Sequence, residues 1–162
     1  MENIAMTVAQ IGYWMDFKKN SHPICKLFTK SFKNRNNLNQ DDILFLIKEK
    51  QDVVKQIHSN PGYLIVDLNE LNVLIDQKFK VPFFIDVDSF QTPSFGCTAI
   101  MDSIRDRLVK SNKWSQMSDW YSFAILAFQL LVGIHPYKGG HPKYASGDFA
   151  KRMQDGVSVF DK

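Results

Sequence analysis

Apolar residues recur at helical spacing between residues 40 and 58, where the periodic signal of the chain is clearest. The repeating apolar positions are Ile43, Leu44, Ile47, Val54 and Ile57. Both ends carry helix-boundary residues, because Asn39 can cap the first turn and Pro61 and Gly62 interrupt the helix after its end. The pattern therefore predicts one long amphipathic helix over residues 40–58.

A second apolar segment, residues 118–132, has apolar side chains on every side of the helix that it would form. That arrangement is typical of a helix buried all round inside a core. Ser118 is the predicted N-cap and Gly133 the predicted C-terminal stop. The most apolar part, Trp120 to Val132, holds 13 residues, whereas a membrane span needs ~20. We therefore predict a buried helix and no membrane contact.

Shorter elements account for much of the remaining chain. Short strands are predicted at 63–66, 73–75 and 81–87, with a turn at 76–78. Short helical segments are expected near 24–32 and 149–153, and a charged helical patch at 102–110 within an otherwise irregular stretch. These elements together predict a mainly α fold with short β hairpins, of the α+β class.

Composition narrows the class of protein. The chain has 162 residues, of which 44% are hydrophobic and 23% are charged, which predicts one globular domain with its own core rather than a disordered chain. The net charge of +3 is too small to indicate a phosphate-binding surface. The densest basic stretch, Lys26 to Arg35, is interleaved with Phe and Asn, and we interpret it as a solvated helix end or loop rather than a binding patch. Nucleic acid is therefore not an expected partner.

The two cysteines, Cys25 and Cys97, lie far apart in the sequence. Two distant cysteines form neither a disulfide framework nor a metal-ligand spacing, and we interpret them as thiols in a reducing compartment. The N-terminus also lacks the pattern of a secretory signal. We therefore expect a cytoplasmic protein.

Three polar side chains follow one another in an order that suits phosphoryl transfer. Asp67 follows an apolar segment, Asn72 comes five residues later, and Asp86 comes fourteen residues after Asn72. Phosphoryl transfer uses one carboxylate to orient and deprotonate the attacking hydroxyl, and it uses oxygen ligands for Mg²⁺. Taken alone, however, this spacing favours the simpler interpretation that these are turn residues between strands.

The residues around this series resemble protein kinases. Asp67, Leu68 and Asn72 match the catalytic-loop pattern H-R-D-L-x-x-x-N, and Asp86 matches the first residue of D-F-G. Upstream, the helix that ends at His58 resembles the helix preceding a kinase catalytic loop.

The resemblance continues downstream and covers about residues 8–160. Residues 118–123 and 130–137 resemble the central helix of the kinase large lobe and the exit from that helix. The amino-acid sequences of residues 67–72 and 85–90 are most similar to those of a divergent kinase-like group found in bacteria and phages.

The resemblance implies roles for particular residues. Asp67 would be the catalytic base, and Asn72 and Asp86 would hold Mg²⁺ with ATP as the phosphoryl donor. Asp119 would be a structural residue that steadies the backbone of the catalytic loop. Met15, in the segment similar to a kinase hinge, would contact the nucleotide. The expected acceptor is a hydroxyl of a protein substrate.

The resemblance also divides the chain. Residues 1–17 are expected to be a remnant of the last small-lobe strand and the hinge, with the small lobe largely absent, and residues 18–162 form a kinase-like C-terminal lobe. Within that lobe we expect a catalytic loop at 64–75, a segment carrying the metal-binding Asp at 81–90, and the buried central helix at 118–132.

Several positions depart from the kinase pattern. Ile65 and Val66 stand where the family has His and Arg, and Asn69 stands where many members have a phosphate-contacting Lys. Val87 and Asp88 replace the Phe and Gly of D-F-G, and Asp tolerates the backbone angles of Gly poorly. With no clamp from a small lobe, nucleotide would bind weakly, and little activity is expected from the chain alone.

Three functional hypotheses remain open. The chain is a protein-kinase-like enzyme, or it is a pseudokinase or truncated lobe that acts as a scaffold for a protein partner. In the scaffold case, apolar surface where a small lobe would dock predicts self-association as well. The third hypothesis is an unrelated α+β protein, in which Asp67, Asn72 and Asp86 would not converge in space.

Overall fold

Two long helices form the frame of the protein. The computed structural model describes residues 21–97, 100–109, 113–145 and 147–161, so the predicted hinge at 1–17 and Met15 lie outside the described residues. The elements in chain order are β1 (His22–Pro23), a 3₁₀ helix (Ile24–Phe28), α1 (Lys30–Arg35), α2 (Gln40–His58), β2 (Val73–Ile75), β3 (Pro82–Phe84), a second 3₁₀ helix (Val87–Ser89), α3 (Gln116–Val132) and α4 (Phe149–Asp155).

Helix α2 has the bounds that its apolar period predicts. Asn39 is its N-cap, and Asn39 and Asp42 bond reciprocally through side chain and backbone at 3.0 and 3.1 Å. This capping box satisfies two backbone N–H groups that have no partner within the helix. Ile43, Leu46 and Val54 face the core from α2.

Helix α3 differs from the prediction at its start and in its burial. It begins at Gln116 with Ser115 as N-cap, and Ser118, predicted as the cap, is instead the partner that completes the capping box. Leu131 and Val132 are 45% and 53% exposed, so the last turn is not buried on every side. Gly133 ends the helix with φ of 88°.

The strands form a small antiparallel sheet in the order β1–β2–β3, with Val73 opposite Phe84 and Ile75 opposite Pro82. The predicted strand at 73–75 is confirmed. The strand predicted at 81–87 is shorter, because the chain leaves the sheet after Phe84 and enters the second 3₁₀ helix.

The strand predicted at 63–66 is wrong. In this segment Leu64 forms only an isolated bridge with Gln91. The backbone N–H groups of Ile65 and Val66 bond to a side chain rather than to a neighbouring strand, and Val66 has a φ of 60° that no strand residue adopts.

The helical patch predicted at 102–110 is also wrong over the residues described there, which form turns. Local side-chain bonds compete with the helix: Asp106 Oδ1 accepts from the N–H of Leu108 at 2.9 Å, and Arg107 donates to the carbonyl oxygen of Asp102 at 3.2 Å. Asp side chains commonly divert the backbone from a helix in this way.

The main core lies between α2, α3, the first 3₁₀ helix and the sheet. Its fully buried members include Ile24, Leu46, Ile65, Leu68 and Leu126. A smaller cluster of Ile104, Ile125 and Met153 packs at the other side of α3. The loop that carries the candidate site therefore rests directly on the main core. Across the described residues, no helix has both the length and the apolar character needed to cross a bilayer.

Candidate active-site loop

A buried carboxylate on α3 anchors the loop that contains Asp67. Asp119 is 0% exposed. Its Oδ1 accepts a hydrogen bond from the N–H of Val66 at 2.8 Å, and its Oδ2 accepts from the N–H of Ile65 at 2.8 Å and from Nε2 of His58 at 2.8 Å. Three donors to one buried carboxylate compensate its removal from water. Helix α3 thereby fixes the backbone immediately before Asp67.

These bonds hold a strained backbone at Val66. A φ of 60° is an outlier for a β-branched residue, and such conformations cost about 1–3 kcal/mol each. Val66 is 0% exposed and its N–H is tied to Asp119, so the surrounding packing enforces the turn. The strain turns the chain sharply just where the side chain of Asp67 must project.

His58 is a functional neighbour that the sequence argument missed. It ends α2, donates to Asp119, and packs edge-on against Trp120 with ring centroids 5.5 Å apart. From the sequence, His58 was identified only as the last residue of the predicted helix. A histidine at a helix end carries no local signal for a carboxylate partner 61 residues away.

Three hydrogen bonds orient the carboxylate of Asp67. Oδ1 accepts from the N–H of Met101 at 2.8 Å, and Oδ2 accepts from Nδ2 of Asn69 at 2.9 Å and of Asn72 at 3.2 Å. An ionised carboxylate has about four lone-pair sites. One position on Oδ1 therefore remains for another donor, such as a hydroxyl.

Asn69 has a role that sequence reasoning missed. It is 2% exposed, and besides holding Asp67 its Oδ1 accepts from the N–H groups of Leu71 at 2.7 Å and Asn72 at 3.1 Å. The side chain of Asn69 is thus turned inward and builds the loop. The strong tendency of Asn to bond the backbone two residues ahead was the available signal.

Asn72 joins the loop to the segment that carries Asp86. Its carbonyl oxygen accepts from the N–H of Ile85 at 2.9 Å, beside Asp86. Its Nδ2 also donates to the carbonyl oxygen of Asp67 at 3.1 Å. Because Nδ2 faces Asp67, the amide Oδ1 of Asn72 is the atom available to a cation. The structure therefore joins Asp67 to Asn72 and places the segment that carries Asp86 beside Asn72, close enough for the charge of Asp67 to act on Asp86.

The unusual backbone angles of this segment fall at Asp86, with φ of 61° and ψ of 43°. Sequence analysis expected the difficulty at Asp88, which stands at the Gly of D-F-G. Asp88 instead lies in the second 3₁₀ helix, outside the left-handed region. Because Asp88 lies outside the left-handed region, its substitution for Gly does not strain the turn. Asp86 does adopt left-handed angles, which Asp tolerates better than most residues other than Gly.

Negative charge gathers at this site. Desolvation raises the pKa of Asp86, and so do a hydrogen bond with Asp88 and the negative charges of Asp88 and Asp67. A hydrogen bond from Ser89 partly opposes this rise. A carboxylate surrounded by like charges favours a proton or a cation beside it. Asp86 is exposed, so either can reach it from solvent.

The donor set fits Mg²⁺ better than a metal held by protein alone. Within the described ranges, no group of three or more His, Cys, Asp or Glu side chains is arranged to hold a metal ion. Mg²⁺ usually keeps several waters and binds through one or two carboxylates plus phosphate oxygens. The carboxylate of Asp86 and the amide oxygen of Asn72 correspond to this type of coordination, in which water and nucleotide would supply the remaining ligands.

Comparison with known proteins indicates the protein-kinase class. No family model matches the chain. Among curated proteins, human ribosomal protein S6 kinase alpha-3 is 25% identical over 105 residues, which cover 62% of this chain and 14% of that protein. The human alpha-2 kinase is 26% identical over 108 residues, with the same shares.

A Drosophila melanogaster protein described as a putative protein kinase C delta type homolog is 27% identical over 148 residues, or 73% of this chain and 21% of that protein. The chain therefore spans only about a seventh to a fifth of the relatives that it matches. This weak similarity supports a protein-kinase-like family, and a kinase-like C-terminal lobe is suggested by these distant relatives alone.

Proposed function

We propose that this chain carries the catalytic loop and the metal-binding segment of a protein-kinase-like enzyme that transfers the γ-phosphoryl group of ATP to a protein hydroxyl. The observation that supports the proposal is the contact between Asp67 and Asn72, whose side chains are bonded at 3.2 Å. The segment that carries Asp86 lies beside them, because the N–H of Ile85 donates to the carbonyl oxygen of Asn72 at 2.9 Å.

Asp67 is the proposed base. Its carboxylate is held in one orientation by Asn69, Asn72 and Met101, which leaves one position on Oδ1 to accept a substrate hydroxyl. A fixed carboxylate of this kind orients the nucleophile and takes its proton as the phosphoryl group is transferred.

Asn72 and Asp86 are the proposed metal ligands, through the amide Oδ1 and the carboxylate. A Mg²⁺ ion held by these residues would supply positive charge that offsets the charge developing during transfer. Position 69 is Asn and bonds within the loop, so this chain offers no Lys from that position. The metal is then the main positive charge near the transferred group, and activity would be low.

Finer features of the proposal rest on the resemblance. The proposed subgroup is a divergent bacterial or phage-type kinase-like group, because the amino-acid sequences of residues 67–72 and 85–90 resemble that group. A protein is the proposed acceptor and the cytoplasm the proposed location. The distant relatives are kinases by name, which supports the class of reaction and leaves the acceptor protein open.

The proposal predicts that Mg²⁺–ATP stabilises this chain. Thermal unfolding should shift to higher Tm with millimolar Mg²⁺–ATP and lose the shift when Mg²⁺ is chelated, because ligand binding to the folded state raises its stability. Asp86→Asn should abolish the Mg²⁺-dependent part. It should not lower the Tm of the metal-free protein, because it removes a carboxylate from a repulsive cluster.

Glu49→Gln, which removes a charge from α2 remote from this loop in sequence, is the matched control and should keep the full shift. The shift should also shrink as the pH falls through the raised pKa of Asp86, since protons then compete with the metal. A shift that is unchanged by chelation, or retained in Asp86→Asn, would refute the assignment of Asp86 as a metal ligand.

A scaffold function is the second candidate, and exposed apolar side chains favour it. Leu71 and Val87 are 55% and 63% exposed, and they adjoin Asn72 and Asp86 in sequence. Apolar groups beside a polar site suit contact with another protein. If no Tm shift occurs with Mg²⁺–ATP while the wild-type chain self-associates in sedimentation and Leu71→Ser/Val87→Ser does not, the scaffold function is favoured.

A further inference from the structure

Lys50 is a buried lysine that the proposed chemistry does not use. It lies on α2, is 0% exposed, and is among the largest fully buried side chains of the described residues. Among the residues that the structure describes, its Nζ has no hydrogen-bond partner. The nitrogen lies 4.6 Å from the ring centroid of Phe123 on α3.

No carboxylate compensates Lys50 among the described residues. On α2 itself, the neighbouring Lys48 and Asp52 pair with each other at the surface. On α3, Asp119 is the acidic group, and it is already bonded to His58 and to the loop. Strand β3, which also packs against α2, has no titratable residue. Burial alone therefore lowers the pKa of Lys50, to about 7.

A continuous series of contacts joins Lys50 to the active-site loop. The ring of Phe123, which faces Lys50, is edge-on to Trp120 at 5.4 Å. Trp120 is in turn edge-on to His58 at 5.5 Å. His58 shares the carboxylate of Asp119 with the N–H groups of Ile65 and Val66. The contact between Phe123 and Trp120 lies within α3. The contacts of Lys50 and His58 join α2 to α3, and those of Asp119 join α3 to the loop.

We propose that proton uptake by Lys50 is a built-in control on the α2–α3 interface, which loosens the contacts of Phe123, Trp120 and His58 and so shifts the anchored turn at Val66. A neutral amine packs in an apolar interface, whereas an ammonium without a partner draws water or moves toward the surface. The turn at Val66 is strained and is held by Asp119, so a small displacement of α3 releases it. The inference concerns the loop conformation and holds whether or not the chain transfers phosphate.

The direct test follows the backbone amide resonances of Ile65, Val66 and Phe123 in the native protein by NMR between pH 5.5 and 9.5. We expect these signals to titrate together with a midpoint near 7, the value to which burial lowers the pKa of Lys50. In Lys50→Met, which keeps an unbranched side chain one atom shorter and removes the titratable amine, this titration should disappear. Lys48→Met, an exposed lysine on the same helix, is the matched control and should titrate as the wild type does.

The pH dependence of the wild-type unfolding equilibrium supplies a second readout. The folded-state pKa of Lys50 lies below its ordinary value of 10.5, so the unfolded chain takes up a proton first as the pH falls. The wild-type unfolding equilibrium constant should therefore rise as the pH is lowered toward 7, by up to about tenfold per pH unit, and level off below that value. Lys50→Met should remove this dependence.

Two outcomes would overturn the proposal. If the loop amides still titrate near pH 7 in Lys50→Met, a group other than Lys50 controls them. If the Lys50 side-chain nitrogen itself titrates near its ordinary pKa, the ammonium reaches solvent in the folded protein and exerts no control on the interface.

Discussion

Replacing Asp119 with Ala should lower the free energy of unfolding by about 3–5 kcal/mol, the range observed when one partner of a buried charged network is removed. Two backbone N–H groups, of Ile65 and Val66, lose their acceptor in the interior, and His58 loses its partner. Each unsatisfied buried donor costs about 1–3 kcal/mol. Urea unfolding at neutral pH, followed by circular dichroism, measures the change.

Asp52→Ala is the matched control for that experiment. Asp52 is also an aspartate paired with a basic side chain, Lys48, but its side chain is 48% exposed, and exposed pairs contribute only about 0–1 kcal/mol. Asp119→Asn should fall between the two, because one amide oxygen can still accept while the NH₂ group faces a donor. An Asp119→Ala variant no less stable than Asp52→Ala would show that Asp119 does not anchor the loop.

Gly133→Ala should be the second strongly destabilising change. The residue has φ of 88°, and a Cβ there would lie 2.7 Å from the carbonyl oxygen of Phe28. Left-handed angles cost a residue with a Cβ about 1–2 kcal/mol. The close approach adds to that cost, because a backbone carbonyl cannot move aside without shifting the 3₁₀ helix of residues 24–28. The free energy of unfolding measures the sum.

Gly156→Ala separates the two contributions to this effect. Gly156 also ends a helix with positive φ, of 71°, but a Cβ there would meet no atom within 4 Å. We therefore expect Gly156→Ala to show only the conformational cost and Gly133→Ala to exceed it clearly. Equal losses would mean that the contact between the end of α3 and Phe28 is not tight.

The sequence predicted the elements that depend on residues close to one another along the chain. Helix α2 follows from its apolar period and from its cap at Asn39, and the strand at 73–75 follows from a short apolar run before a turn. The polar series of Asp67, Asn72 and Asp86 was identified through its resemblance to a kinase pattern rather than through spacing alone. The structure joins Asp67 to Asn72 and places Ile85, the residue before Asp86, against Asn72.

Contacts between distant residues explain what local patterns missed. Residues 63–66 have the apolar side chains that favour a strand. The N–H groups of Ile65 and Val66 nevertheless donate to the carboxylate of Asp119, and the chain turns there instead of pairing with a strand. The roles of His58 and Met101 depend in the same way on partners 61 and 34 residues away. Only the inward turn of Asn69 had a local signal, in its tendency to bond backbone nearby.

The separation between Asp119 and its partners in the loop also has a consequence for synthesis on the ribosome. Asp119 lies 54 and 53 residues after Ile65 and Val66, so the loop emerges from the exit tunnel well before its anchor is translated. Helix α2 holds its own capping box and can form early, whereas the strained turn at Val66 has no acceptor until α3 arrives. The loop at residues 64–72 should therefore be among the last parts of this chain to acquire its native shape, and nascent chains paused before residue 119 should remain sensitive to proteases there.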